Sequence, residues 1–251
     1  MKNTLHFLAW FICALLPQAF AHGPSEEHGQ PTVRGQASMT IPAEVALEPI
    51  AARYTERRID NKTRGVHTAP WYFWRESARI ETASPEAKIA EVWERDADGR
   101  ITHARYFHED RSVIETTTGE LKTRGIEPGW QDLSKILDPR ALPGMRRVGA
   151  TSVLGRRATI YRGKSGNGSL EVVWLDAAHL PARITRNAKA GSVTLRLEEL
   201  HRDNPPGWQR VDAGVTEDYQ RIDVADLGDM ESDPFVRKVL RASGGHGGHQ
   251  H

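Results

Sequence analysis

Five histidines sit where folding has no evident use for them. His22 and His28 lie near the start, and His246, His249 and His251 lie in a closing run of glycine and glutamine. Neutral imidazole is a common ligand for copper, zinc and nickel ions. Glycine spacers let three imidazoles converge on one ion, at an entropic cost that limits affinity. His22 has a further property: cleavage of a leader after Ala21 would give it a free α-amine. That amine and Nδ1 together form a bidentate copper chelate, which still needs ligands from the fold. The sequence names none of these. The chemistry these residues point to is a transition-metal site for copper, zinc or nickel built from the two tails. The competing reading is a pair of low-complexity, solubilising tails.

Elsewhere the spacings that catalysis needs are missing. There is no G-x-S-x-G, no phosphate-binding loop, no H-E-x-x-H and no dinucleotide fingerprint. His103 and His108 stand five apart in an expected strand, so they face opposite sides and cannot chelate together. His67, His179 and His201 are isolated. Asp226, Asp229, Glu231 and Asp233 offer oxygens to a hard cation, but without the spacing of an EF-hand loop, and carboxylates gather at helix N-termini for electrostatic reasons of their own. The expectation is a protein that is not an enzyme.

The elements that must position any site begin after a leader. Lys2 precedes an apolar run, Leu5 to Leu16, which Pro17 breaks, and Ala19 to Ala21 supplies the small residues a signal peptidase reads. The run is shorter than the roughly 20 residues of a membrane-spanning helix. Residues 1–21 therefore read as a signal peptide and the destination as the periplasm. The one cysteine, Cys13, falls inside the leader. Removing 21 of 251 residues leaves 230 with neither a disulfide nor a thiolate ligand, enough to build a core without them. Lys and Arg number 34 against 33 Asp and Glu. Basic and acidic residues look interspersed, so neither nucleic acid nor a membrane surface is the expected partner, and no spanning segment is expected after cleavage.

Residues 22–40 read as a flexible leader rich in histidine, glycine and proline, and residues 243–251 as a Gly/His tail. Between them, 41–242 reads as one domain. A short helix is expected within 41–54, limited by Pro42 and Pro49. Alternation then takes over. Pro70–Thr82 reads as one strand, Lys88–Asp110 as a hairpin turning at Asp96–Gly99, and Arg111–Leu121 as a further strand. Gly129–Pro139 has helical spacing and stops at proline. Two more hairpins follow, one turning at Ser165–Gly168, then strand pieces at Gln209–Asp212 and Thr216–Val224. A last helix runs from Pro234 with Asp233 as its cap. Eight or more antiparallel strands with few helices, and no alternation of strand and helix, indicate a mainly β (α+β) fold: a single curved antiparallel sheet, a half-barrel, with a few short covering helices.

The run Gly155–Arg186, "GRRATIYRG…LEVVWLDAAHLPARITR", together with "PWYFWRESARIET", resembles the strands of the LolA/LolB/RseB group of periplasmic half-barrel proteins. The resemblance implies an incomplete barrel with a helical lid over an apolar cavity, and a lipid, a lipoprotein or another envelope protein as partner. The His-rich ends depart from that pattern. A curved sheet with short helices leaves apolar surface to cover, and Trp71, Phe73, Trp93, Tyr106 and Trp174 are the candidates to line a ligand site there. They equally fit a plain core.

Overall fold

The structure, a computed structural model, describes residues 47–244. The expected signal peptide, the polar segment 22–40 and the five tail histidines lie outside the described residues.

The described residues form a single curved, unclosed sheet of 12 strands with few short helices. The first meander comprises β1 (Ile50–Asp60), β2 (Val66–Arg75), β3 (Arg79–Ser84), β4 (Ile89–Arg95), β5 (Ile101–Phe107) and β6 (Ser112–Thr116). A cover segment follows, with α1 (Thr118–Thr123), α2 (Trp130–Leu133) and a 3-10 turn at Pro139–Ala141. The second meander comprises β7 (Arg146–Val153), β8 (Arg156–Ser165), β9 (Gly168–Leu175), β10 (Leu180–Ala188) and β11 (Gly191–His201). The chain ends with α3 (Ala213–Thr216), β12 (Gln220–Asp223), a 3-10 turn at Val224–Gly228 and α4 (Pro234–Gly244). β1 joins the two meanders by pairing with both β2 and β11, and β7 and β12 are the edges.

Two local expectations are corrected, and a third lies partly outside the described residues. The short helix expected within 41–54 falls largely in residues 41–46, outside the described residues; from Ile50 the segment is β1, where Ala52 and Tyr54 bury the same face as Trp71 and Phe73 across the β1–β2 pair. Pro70–Thr82 is not one strand but the end of β2 and the start of β3, folded at Glu76, whose N–H donates to the Arg79 carbonyl at 2.8 Å. Gln209–Asp212 is not a strand. It belongs to a strap that crosses the outer face and returns as β12, which therefore lies parallel to β6 in an otherwise antiparallel sheet.

That strap is held by a buried carboxylate. Glu81, fully buried, accepts from the Val211 N–H at 2.6 Å, from Arg210 at 3.2 Å and from Arg79 at 3.2 Å. Trp208 stands edge-on to Tyr72, with centroids 5.0 Å apart, and the Trp74 indole N–H donates to Asn204 at 2.7 Å. A buried charge costs several kcal/mol unless such donors surround it.

The turns follow the expected chemistry. In the β4–β5 hairpin, Asp96 accepts from the N–H groups of Asp98 and Arg100, and Gly99 adopts a positive φ of 80°. Gly191 admits close strand approach, since a Cβ there would collide with the Ile59 carbonyl. At the last helix Asp233 accepts from the N–H groups of Phe235 and Val236, as its position before Pro234 predicts.

Candidate functional site

Cross-strand partners share a face, so the register fixes which side chains meet. Tyr54 pairs with Trp71 and with Leu197, Ala52 with Phe73, Ile80 with Trp93, and Trp93 with His103. These residues define an inner face. Trp71, Phe73, Trp93 and Trp174 all lie in one buried cluster with Tyr54, Leu195 and Leu197. Trp71 stacks near Phe73, with centroids 6.2 Å apart, and meets Tyr54 edge-on at 5.6 Å. Tyr106 is not with them. It pairs with Ala90 and Val113 and so points to the outer face, near Arg79, Glu94 and Arg221. Alternation puts it out of phase with His103 and Phe107, and it is no part of the inner cluster.

The cover segment supplies Leu121, Trp130, Leu133, Ile136, Leu137 and Leu142 to this cluster. α1 is fixed by a capping box of Thr117 and Glu120. α2 is only one turn long, and the chain leaves it through Ile136 at a φ of 64°, which ends the expected helix early. The segment is tied to the sheet by Arg75, which is nearly fully buried. Its guanidinium donates to the carbonyls of Ser134 at 2.9 Å, Ala178 at 3.1 Å and Glu48 at 3.1 Å. Burial pulls Arg75 down to about 10, against the opposing influence of Tyr54 and Glu48. Arg95 lies 4.9 Å from the centre of the Trp130 ring, a cation–π contact at the other side of the cover.

A second apolar cluster occupies the same face at its far end. Ile89, Phe107, Ile114 and Ile222 follow the inner-face register and pack under α4 through Phe235, Val236, Val239 and Leu240. Phe107 and Phe235 meet edge-on at 5.0 Å.

Between the two clusters the inner face turns polar. Along β4 the inward positions read Ile89, Glu91, Trp93, and along β5 they read His103, Arg105, Phe107. Glu91 lies 3.7 Å from His103 Nε2 and 3.5 Å from Arg105 Nε, and its side chain is 15% exposed. Burial works to raise the Glu91 carboxyl, but His103 and the Arg105 charge outweigh it and hold it below the ordinary value. Among the described residues Trp93 Nε1 is buried with no hydrogen-bond partner, whereas His103 Nε2 and Arg105 Nε lack a hydrogen bond of good geometry but face the Glu91 carboxylate as ion pairs. A buried donor left without a partner costs about 1–3 kcal/mol, and the Trp93 indole is the clear case. With Glu91 and Arg105 cancelling, the strip carries little net charge.

Sequence reasoning picked Trp93 but passed over Glu91, His103 and Arg105 as a group. The signal was present: once Asp96–Gly99 closes the hairpin, Glu91 must lie opposite Arg105, and Trp93 opposite His103. For the metal expectation, the described residues contain no group of three His, Cys, Asp or Glu side chains placed to hold an ion, and His22, His28, His246, His249 and His251 lie outside them. No described helix is long and apolar enough to cross a membrane.

No family model and no curated relative matches this sequence. Among solved structures, the chain is similar to PNGF-II at a TM-score of 0.41 and 10% identity, over 73% of this chain and 33% of that one. It is similar to the complex of Pseudomonas aeruginosa MucA and MucB at a TM-score of 0.35 and 12% identity, over 68% and 56%. It is similar to the Mycobacterium tuberculosis lipoprotein LppX at a TM-score of 0.30 and 14% identity, over 64% and 89%. The chain thus spans about a third of the first of these proteins and little more than half of the second. The likeness is one of fold alone.

Proposed function

We propose that this is a non-catalytic, exported binding protein. It holds the apolar chain of a lipid or lipoprotein, or the apolar segment of an envelope protein, against the inner face. The ligand's polar group sits at the Glu91–His103–Arg105 strip.

One observation carries the reading. Two apolar clusters share one face, each covered by short helices rather than a second sheet, and a polar strip with an unpartnered Trp93 indole N–H and a loosely paired Glu91, His103 and Arg105 lies between them. Helices of six and four residues have no stability of their own, so the cover depends on packing and on Arg75. Such a segment opens at lower cost than a strand of the sheet. An acyl chain replacing Leu133 or Leu137 against Trp71 and Phe73 exchanges one apolar contact for another, while its head group accepts from the Trp93 indole N–H and competes with Glu91 for His103 and Arg105. The leader read in residues 1–21 supports a periplasmic location.

Titration with N-phenyl-1-naphthylamine, which fluoresces in apolar surroundings, tests the reading. The expected result is a saturable rise in emission that palmitate or a monoacylglycerol reverses by competition. Absence of a rise, or a rise that neither lipid displaces, would count against it.

A further inference from the structure

We propose that the β7 edge of the sheet is a docking site for an extended, acidic segment of a partner protein, which adds to β7 as a further strand. This proposal is independent of the lipid reading.

The first observation is charge. Over the whole chain Lys and Arg balance Asp and Glu, yet from Pro143 to Leu170 there are six cations and no acid: Arg146, Arg147, Arg156, Arg157, Arg162 and Lys164. All six are exposed. Arg162 pairs with Glu171, whereas the other five make no ion pair among the described residues. Arg146 and Arg162 are direct cross-strand partners, a like-charge pair that the sheet tolerates only at a cost. The register puts Arg147 and Arg157 on one face, and Arg146, Arg156 and Arg162 on the other, so an incoming strand would be flanked by guanidinium groups on both sides.

The second observation is the edge itself. β7 is eight residues long, ends the sheet, and is exposed along most of its length. Its outer backbone N–H and C=O groups form a template for another strand. Charge alone could serve to repel other strands. The β7–β8 turn argues against that as its whole purpose. Leu154 sits at a φ of 51°, a left-handed position that favours glycine or asparagine, and its apolar side chain is 49% exposed. A residue strained in backbone and wasted on solvent fits an apolar anchor for a bound peptide. The opposite end of the sheet carries the acids of residues 212–233, so a second copy of this chain is the main competing occupant.

The test is fluorescence anisotropy with a fluorescein-labelled ten-residue peptide that alternates glutamate with valine and leucine. Arg156→Glu/Arg157→Glu weakens binding by about tenfold or more, and added salt weakens it in the wild type. Leu154→Asn weakens binding while thermal stability holds or rises, which separates docking from folding. Methylating alternate peptide amides, which blocks strand pairing, also costs about tenfold. The proposal is overturned if the methylated peptide or an oligothymidylate of equal charge binds as tightly. It is also overturned if sedimentation shows self-association that Arg156→Glu/Arg157→Glu abolishes, for then the occupant is a second copy.

Discussion

Trp93 and His103 face each other across the β4–β5 pair with ring centroids 4.1 Å apart; among the described residues the indole N–H has no hydrogen-bond partner, and His103 Nε2 lies 3.7 Å from the Glu91 carboxylate. Two residues further along, on the same face, Glu91 meets Arg105. A polar strip thus divides two apolar clusters on one face, an arrangement that folding alone does not favour. Replacing the strip wholesale with apolar residues should therefore not harm the fold. Glu91→Leu/His103→Phe/Arg105→Met is expected to leave unfolding free energy unchanged or raise it by about 1–4 kcal/mol, as for other buried ionic groups. Arg105→Met alone, which leaves the buried Glu91 with His103 but without its arginine, should lose about 1–3 kcal/mol. Urea denaturation of the three proteins decides this, and a large loss in the triple variant would assign the strip to stability rather than binding.

Arg75 is the bolt of the cover segment. Its three backbone acceptors come from α2's exit, from the β9–β10 turn and from the residues before β1. Arg75→Met is expected to cost at least about 1.5–3 kcal/mol, the worth of one hydrogen bond to a charged group. Amide hydrogen exchange should rise first in residues 130–145, ahead of the strands. Uniform exchange across the whole chain would mean that Arg75 supports the sheet and not the cover.

Glu81 plays the matching part on the outer face. Glu81→Ala removes the acceptor for Val211 N–H and one of two carboxylate partners of Arg79 and of Arg210, which keep Glu94 and Glu76. The expected loss is about 1–3 kcal/mol, typical of leaving a buried donor without its partner. Limited proteolysis should then cut within 202–212. Resistance of that segment would show that Trp208, packed on Tyr72 and Trp74, holds the strap without it.

Stability should fall under mild acid. His108 lies with Nδ1 2.9 Å from the Tyr219 hydroxyl, and burial pushes its pKa below the ordinary histidine value. His179 is lowered too, by burial first and then by Lys135 and Arg75, with Asp176 opposing. The folded state thus prefers neutral rings, and between the folded and unfolded pKa values the unfolded chain binds more protons. Stability is full above about pH 6.5 and declines as pH drops through that value. Melting temperatures between pH 7.5 and 5.5 should fall, and His108→Gln/His179→Asn should flatten the slope. The asparagine suits the positive φ of 52° at residue 179. An unchanged slope in the double variant would contradict the assignment.

The architecture was legible because its signals are local. The hairpins at Asp96–Gly99 and Ser165–Gly168, the alternation of Val193, Leu195 and Leu197, and the Asp233 cap each fix their own element. What escaped depends on distant pairing. Ile50–Tyr54 has no strong strand signal alone and becomes a central strand because β2 and β11 flank it. Tyr106 sits in the expected strand, but one position out of phase with the inner face. The charges look mixed along the chain, yet β7 and β8 gather the arginines at one edge, because pairing brings 146–147 beside 161–162 and 152–153 beside 156–157.

The central claim is that an apolar ligand lies on the inner face beside the Glu91–His103–Arg105 strip. Irradiation of the protein with a diazirine-bearing palmitate, followed by peptide mass spectrometry, locates the bound chain directly. The account predicts adducts on β2, β4 and the cover segment, at or beside Trp71, Trp93, Leu133 and Leu137, and their loss with excess unlabelled palmitate. Adducts centred on the outer face, at Tyr72, Tyr106 or Trp208, or labelling that palmitate does not suppress, would contradict it.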